Sequence, residues 1–179
     1  MRRSTVHRTL GLVVALATAA ALSGAGPASA AKAKSYEAPF KAGPSGGDSF
    51  SYHSADSSGT VTVGRVYPIP GAINCTKGGP YAKLLVPVKA PVAKILVSYD
   101  SAAVDNFTFA MVGLRDNKGD WFGTKQLRGF ITGSGNITFT PDGGQGTGPL
   151  TIEFGLQQSS ACPNADAGTL HFSKVQVFS

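Results

Sequence analysis

The chain of 179 residues is short of the groups that chemistry most often uses. It has two cysteines, Cys75 and Cys162, and neither a further cysteine nor a nearby histidine completes a metal set around them. Its only glutamates, Glu37 and Glu153, do not make a glycosidase pair, which leaves any such role to aspartate. Past residue 30 there are two histidines, His53 and His171, and nothing marks a serine on a strand-to-helix turn to serve either. Tryptophan occurs once, as Trp121. Beyond Leu22 no segment approaches the roughly 18 apolar residues of a membrane span. No internal repeat and no convincing helical period stand out. These shortages weigh against an enzyme and leave a small secreted hydrolase as the third of three functional readings.

What is present begins with a leader. Arg2, Arg3 and Arg8 precede an apolar run from Leu10 to Leu22, and Ala28-Ser29-Ala30 closes it with small residues. Residues 1–30 read as a secretory signal peptide, and the Ala/Gly-rich composition reads as bacterial. The expected location is therefore extracellular. Cleavage after Ala30 leaves 149 residues, enough for one domain; cleavage after Ala33 serves nearly as well. The leader holds three of the 16 Lys+Arg and none of the 10 Asp+Glu, so the charge after cleavage is +3 rather than +6. Lys83, Lys89 and Lys94 are spread among apolar residues, as solvated or edge-protecting positions. They do not form a nucleic-acid patch. In an exported chain Cys75 and Cys162 read as one disulfide across 87 residues, worth about 4–5 kcal/mol in the loop-entropy account. Free thiols or a metal pair are the alternatives.

Residues 31–48 are rich in Ala, Lys, Gly, Pro and Ser and read as a flexible arm, with a short strand at Tyr36–Phe40. Residues 49–179 read as the folded domain. Eight stretches of β-branched and aromatic residues alternate there with Gly/Pro/Asn/Asp turns: Thr60–Tyr67, Ala82–Val88, Val92–Tyr99, Asn106–Leu114, Trp121–Ile131, Asn136–Thr140, Leu150–Gln157 and Thr169–Phe178. The expectation is all-β, an antiparallel sandwich or barrel. In "NFTFAMVGL" both faces are largely apolar, which marks a central strand. In "LTIEFGLQQ" Leu150, Ile152, Phe154 and Leu156 oppose Thr151 and Glu153, which marks a half-exposed strand. "TPDGGQGTGP" reads as a longer, mobile loop. Asn74, Asn106 and Asn136 begin Asn-x-Thr triplets, which matter only in a glycosylating host.

The last strand, "AGTLHFSKVQVFS", changes apolar phase between Phe172 and Val175, which requires a bulge or kink if both pairs enter one core. That slip after a glycine resembles the closing strand of the β-sandwich carbohydrate-binding modules appended to bacterial cellulases and xylanases. Gly168, Thr169, Leu170, Phe172, Val175 and Val177 carry the likeness. "NITFTPDGGQGTGPLTIEFGL" resembles the penultimate hairpin of those modules and "KILVSYDSA" their early core strand, so the likeness runs from Lys94 to Phe178. Where the family carries Asp-Asn this chain has Ser173-Lys174, and the polar or ion contact of that aspartate has no counterpart. The resemblance implies a jelly-roll β-sandwich and sugar binding.

Sugar binding needs flat aromatic faces beside a few amides and carboxylates. Trp121 is the first candidate, with Asp116, Asn117, Asp120 and Lys125 as polar neighbours. In regular extended backbone Trp121 and Phe122 point to opposite faces, and Trp121 is either a platform or a core residue. In a regular strand the Trp121 face continues through Gly123, Lys125 and Leu127. Tyr67, Tyr81 and Tyr99 are further candidates, against ordinary edge packing. No cofactor is expected. The ion that the acidic turns raise is a structural calcium at Asp116, Asn117 and Asp120, or at Asp100 and Asp105; Lys118 interrupts the first set, and turn formation accounts for the same residues. The leading functional reading is non-catalytic binding of a polysaccharide or cell-envelope glycan. The second is a structural or protein-interaction module, a secreted inhibitor or envelope-associated protein, whose contact loop would be "INCTKGGPY".

Overall fold

A computed structural model describes residues 32–47, 51–65, 79–158 and 167–179. The leader, Tyr67, Cys75 and Cys162 lie outside those residues. The described residues form twelve strands and no helix: β1 (Ala33–Glu37), β2 (Lys41–Gly46), β3 (Ser51–Ala55), β4 (Thr60–Arg65), β5 (Tyr81–Lys89), β6 (Lys94–Val104), β7 (Thr108–Asp116), β8 (Trp121–Leu127), β9 (Ile131–Thr132), β10 (Gly135–Phe139), β11 (Pro149–Gln158) and β12 (Gly168–Phe178). No helix among them is long and apolar enough to cross a membrane.

Every pairing is antiparallel. One sheet has seven strands in the order β10-β6-β12-β4-β3, with β1 also on β12 and β9 also on β6. The other has five, in the order β2-β5-β11-β7-β8. Only the hairpins β3–β4 and β7–β8 join sequential strands paired in one sheet; most other connections cross between sheets. This is an antiparallel β-sandwich of jelly-roll type. The two inner faces meet over Val61, Leu84, Ile95, Val112, Phe154 and Phe172 and their neighbours along each strand. Each such side chain contributes about 1.5–3 kcal/mol by leaving water.

The phase slip in β12 is a bulge. Its register against β6 shifts between His171 and Phe172 and again between Phe172 and Lys174, so that Asp100 of β6 and Ser173 of β12 fall outside the ladder. Phe172 and Val175 are both fully buried as a result. The amide freed at Phe172 donates to Gly59 O at 2.9 Å, so the β3–β4 turn covers the irregularity.

Three expectations are corrected. Of the expected arm at 31–48, the described residues 32–47 are not free: β1 pairs with β12 from Ala33 through Glu37, β2 pairs with β5, and Phe40 between them is 5% exposed. The segment lacks alternation because main-chain pairing and one aromatic anchor hold it, not a row of apolar side chains. The Trp121–Ile131 stretch divides, since β8 ends at Leu127 and Ile131 starts the separate β9. The 140–149 loop is pinned: the Gln145 amide accepts from Val92 N at 2.8 Å and donates to Val92 O at 2.7 Å, and Asp142 N donates to Phe122 O at 2.9 Å.

Candidate functional site

The outer face of the five-stranded sheet is where unusual side chains gather. Register fixes which residues share it. On β11, Glu153 pairs with Gly113 of β7 on one side and Leu85 of β5 on the other. Lys83 of β5 and Arg115 of β7 stand one step along on the same face, in the diagonal positions that long side chains reach across. Both converge on Glu153. Lys83 Nζ donates to Glu153 Oε2 at 2.9 Å, and Arg115 Nε donates to Glu153 Oε1. Glu153 is buried, so β11 is not half-exposed: its outward parity is as expected, but neighbouring side chains close over the carboxylate. Lys83, expected as a solvated lysine, is only 15% exposed in its side chain. A buried carboxylate is stable only with such partners.

Trp121 lies on this face. A Cβ built on Gly113 would meet Trp121 Cζ3 at 2.6 Å, so the indole rests over bare backbone. Trp121 remains 44% exposed, which makes it a surface residue rather than a core one. The parity expected for β8 is corrected by a bulge. Arg115 pairs with Trp121 but Gly113 pairs with Thr124, one residue more than a regular ladder allows. Gly123 supplies the positive φ, +90°, at that point. Trp121 therefore shares the outer face with Thr124 and Gln126, while Phe122 and Leu127 pack against the core.

Tyr81 is the second ring. It pairs with Gly46 on the edge strand β2, where an added Cβ would lie 3.1 Å from the ring, so Tyr81 also folds over a glycine. Lys83 Nζ sits 5.5 Å from the Tyr81 ring centre and 5.6 Å from that of Trp121, bridging the two. Farther along the face Arg128 covers Phe109 at 4.7 Å and donates to Gln126 Oε1 at 3.0 and 2.6 Å.

The remaining candidates divide. Tyr99 faces inward on β6 and is 9% exposed, a core residue. Asp116 is a turn former: its Oδ1 accepts the Lys118 amide at 2.8 Å and the Asp120 amide at 2.9 Å. Asp120 follows in the same turn, exposed and adjacent to Trp121. Asp105 likewise accepts the Phe107 and Thr108 amides. Among the described residues no three His/Cys/Asp/Glu side chains gather as a metal set. Of the "INCTKGGPY" loop only Gly79, Pro80 and Tyr81 are described. The cluster of Lys83, Arg115 and Glu153 is what reading the sequence missed. Its one signal is an acid isolated in an apolar strand, and its partners come from two other strands whose register is set by tertiary structure.

A second polar cluster lies on the opposite sheet, around His171. His171 Nδ1 is 2.6 Å from Asp100 Oδ1, and Nε2 is 3.1 Å from Ser58 O. Both partners are acceptors, which favours the doubly protonated ring, and the Asp100 bond raises His171 from the ordinary imidazole value against the opposing effect of burial. Gly43-Pro44-Ser45-Gly46-Gly47 matches a nucleophile-elbow spacing by letter, but Gly43 to Gly46 lie in edge strand β2, and the described residues contain no helix.

No family model matches the chain. No curated protein matches it either. Several solved structures similar to it are carbohydrate-binding modules. One is the low-affinity xylan-binding module CBM86 from Roseburia intestinalis, at 14% identity over 82% of this chain and 94% of that one, TM-score 0.47. Another is TmCBM61, solved with β-1,4-galactotriose, at 12% identity over 75% and 92%, TM-score 0.38. Accessory secretory proteins of Streptococcus pneumoniae align at 13% identity over 80% and 98%, TM-score 0.44. The kind of module expected from the closing strand thus recurs among the neighbours, and at these values the likeness assigns the chain to no family.

Proposed function

We propose that this is a secreted, non-catalytic glycan-binding protein whose ligand lies on the outer face of the five-stranded sheet, across Trp121 and Tyr81. The observation that carries the reading is the exposed Trp121 ring held over Gly113, with Tyr81 on the far side of a shared lysine. Stacking of a pyranose on either ring removes apolar area from water, and nearby N–H groups serve the hydroxyls. The face is preorganised. Glycines beneath both rings leave no side chain between ring and sheet, and Glu153 holds the two cations, so little freedom is lost on binding. Glu153 itself is unsuited to glycoside cleavage, being buried and neutralised by Lys83 and Arg115. Secretion is supported by the basic head, apolar run and Ala28-Ser29-Ala30 of the leader.

The test is binding to a glycan array and to insoluble polysaccharides, followed by tryptophan fluorescence titration. Trp121→Ala is expected to weaken binding by roughly ten- to thirtyfold, the cost of losing a central aromatic anchor, and to leave the fold intact. Tyr81→Ala is expected to weaken it less. Retention of no glycan, with fluorescence unmoved by any oligosaccharide, would sink the reading.

A further inference from the structure

The charge on the outer face is lopsided. Its outward residues include Lys41, Lys83, Lys89 and Arg115, and Arg128 lies over Phe109. Against these five cations the five strands turn out one carboxylate, Glu153, for a net of +4. The chain after Ala30 carries only +3 in all. Counting the rim aspartates Asp116 and Asp120 still leaves +2 on this face. The excess is partly dry where it matters: Lys83 and Arg115 share one buried carboxylate, their side chains are 15% and 30% exposed, and one positive charge is left unmatched. Among the described residues Arg115 bonds through Nε alone, which leaves both Nη groups, a planar fork suited to a second carboxylate.

Placement adds to charge. Lys83 Nζ is within 5.6 Å of both ring centres, so a sugar stacked on either ring holds its substituents beside Lys83. We propose that the glycan bound here carries carboxylate groups, as hexuronate residues do, received by Arg115 and Lys83 while the rings hold the pyranose faces. This rests on the outer face being the glycan site. The field of the face also draws a polyanion toward it, and salt weakens that attraction.

The test measures affinity of the purified protein for polygalacturonate and alginate oligomers and for neutral cellohexaose, at about 50 and about 500 mM salt. Uronate oligomers are expected to bind roughly tenfold tighter than cellohexaose at low salt, with the gap narrowing at high salt. Arg115→Lys and Lys83→Met are each expected to cost roughly tenfold toward uronates and several-fold less toward cellohexaose, so that the preference for the acidic oligomer shrinks in both variants. Thermal melts confirm folding, since Glu153 keeps one cation in either variant. Equal affinity for neutral and acidic oligomers, lost alike in Trp121→Ala, overturns the acidic ligand and leaves the glycan site standing. Dextran sulfate retained as tightly as uronates, with no loss of either in Trp121→Ala, also overturns it, as charge adsorption only. No response to any saccharide brings down both readings.

Discussion

Glu153 shows how one residue can organise a surface. An acid in the run Ile152-Glu153-Phe154 points away from the core by parity, yet it is buried because two long cations reach over it from neighbouring strands. Its partners are ordered by the same bonds, which fix both cations on the outer face. His171 has a different role, tying β12 to Asp100 of β6 and to the Ser58 carbonyl. Because its folded value is raised above the ordinary 6.5, its contribution is complete below the unfolded value and is lost as pH rises through the folded one. Asp56, held low chiefly by the Ser58 hydroxyl, loses its contribution only in acid, well below that window. Thermal melts between pH 6 and 8 are therefore expected to fall slightly toward pH 8, by at most about 1 kcal/mol, since both side chains are part-exposed and screened. His171→Gln is expected to flatten the curve across that range. At this scale reading the sequence placed Trp121 beside a polar turn and set it against Phe122, but could not say which ring faced outward. Both neighbouring faces mix apolar and polar residues, so burial could not be inferred from parity alone.

Two bulges decide what the elements present. In β12 the slip was legible, because Phe172 and Val175 are both apolar, have opposite parity and both need the core. In β8 it was not, since Gly123 is one glycine among 23 and its neighbours offer no broken apolar pattern. The β8 bulge is nonetheless what puts Trp121, Thr124 and Gln126 on one face. Gly123→Ala puts a side chain at φ +90°, with its Cβ 2.9 Å from Asp142 Oδ2. It is expected to destabilise the protein by about 1–3 kcal/mol and to disturb the indole two residues away. A lowered melting temperature together with a shifted tryptophan emission maximum and weaker glycan binding checks this. Unchanged emission would show that the bulge does not position Trp121.

For the molecule as a whole, residues 33–46 add one strand to each sheet. Phe40 packs edge-on against Phe154 at 5.3 Å, and Phe154 against Phe172 at 5.0 Å, so one aromatic column runs through the sandwich core. Phe40→Ala is expected to cost about 3–5 kcal/mol, a fall in melting temperature of roughly 10 °C for a domain of this size; Lys34→Ala, at an exposed position, is expected to change little. The sequence by itself determined the all-β class, most of the long strands, the two apolar rows of β7, the inward row of β11 and the need for a bulge or kink between Phe172 and Val175, because side-chain alternation is a local property of the strand. Only the tertiary structure decided that residues 33–46 belong to the sandwich, that Tyr99 is core and Trp121 surface, and that Lys83, Glu153 and Arg115 meet. Those outcomes depend on main-chain pairing and on register between strands far apart in the chain, and neither is written in any single segment.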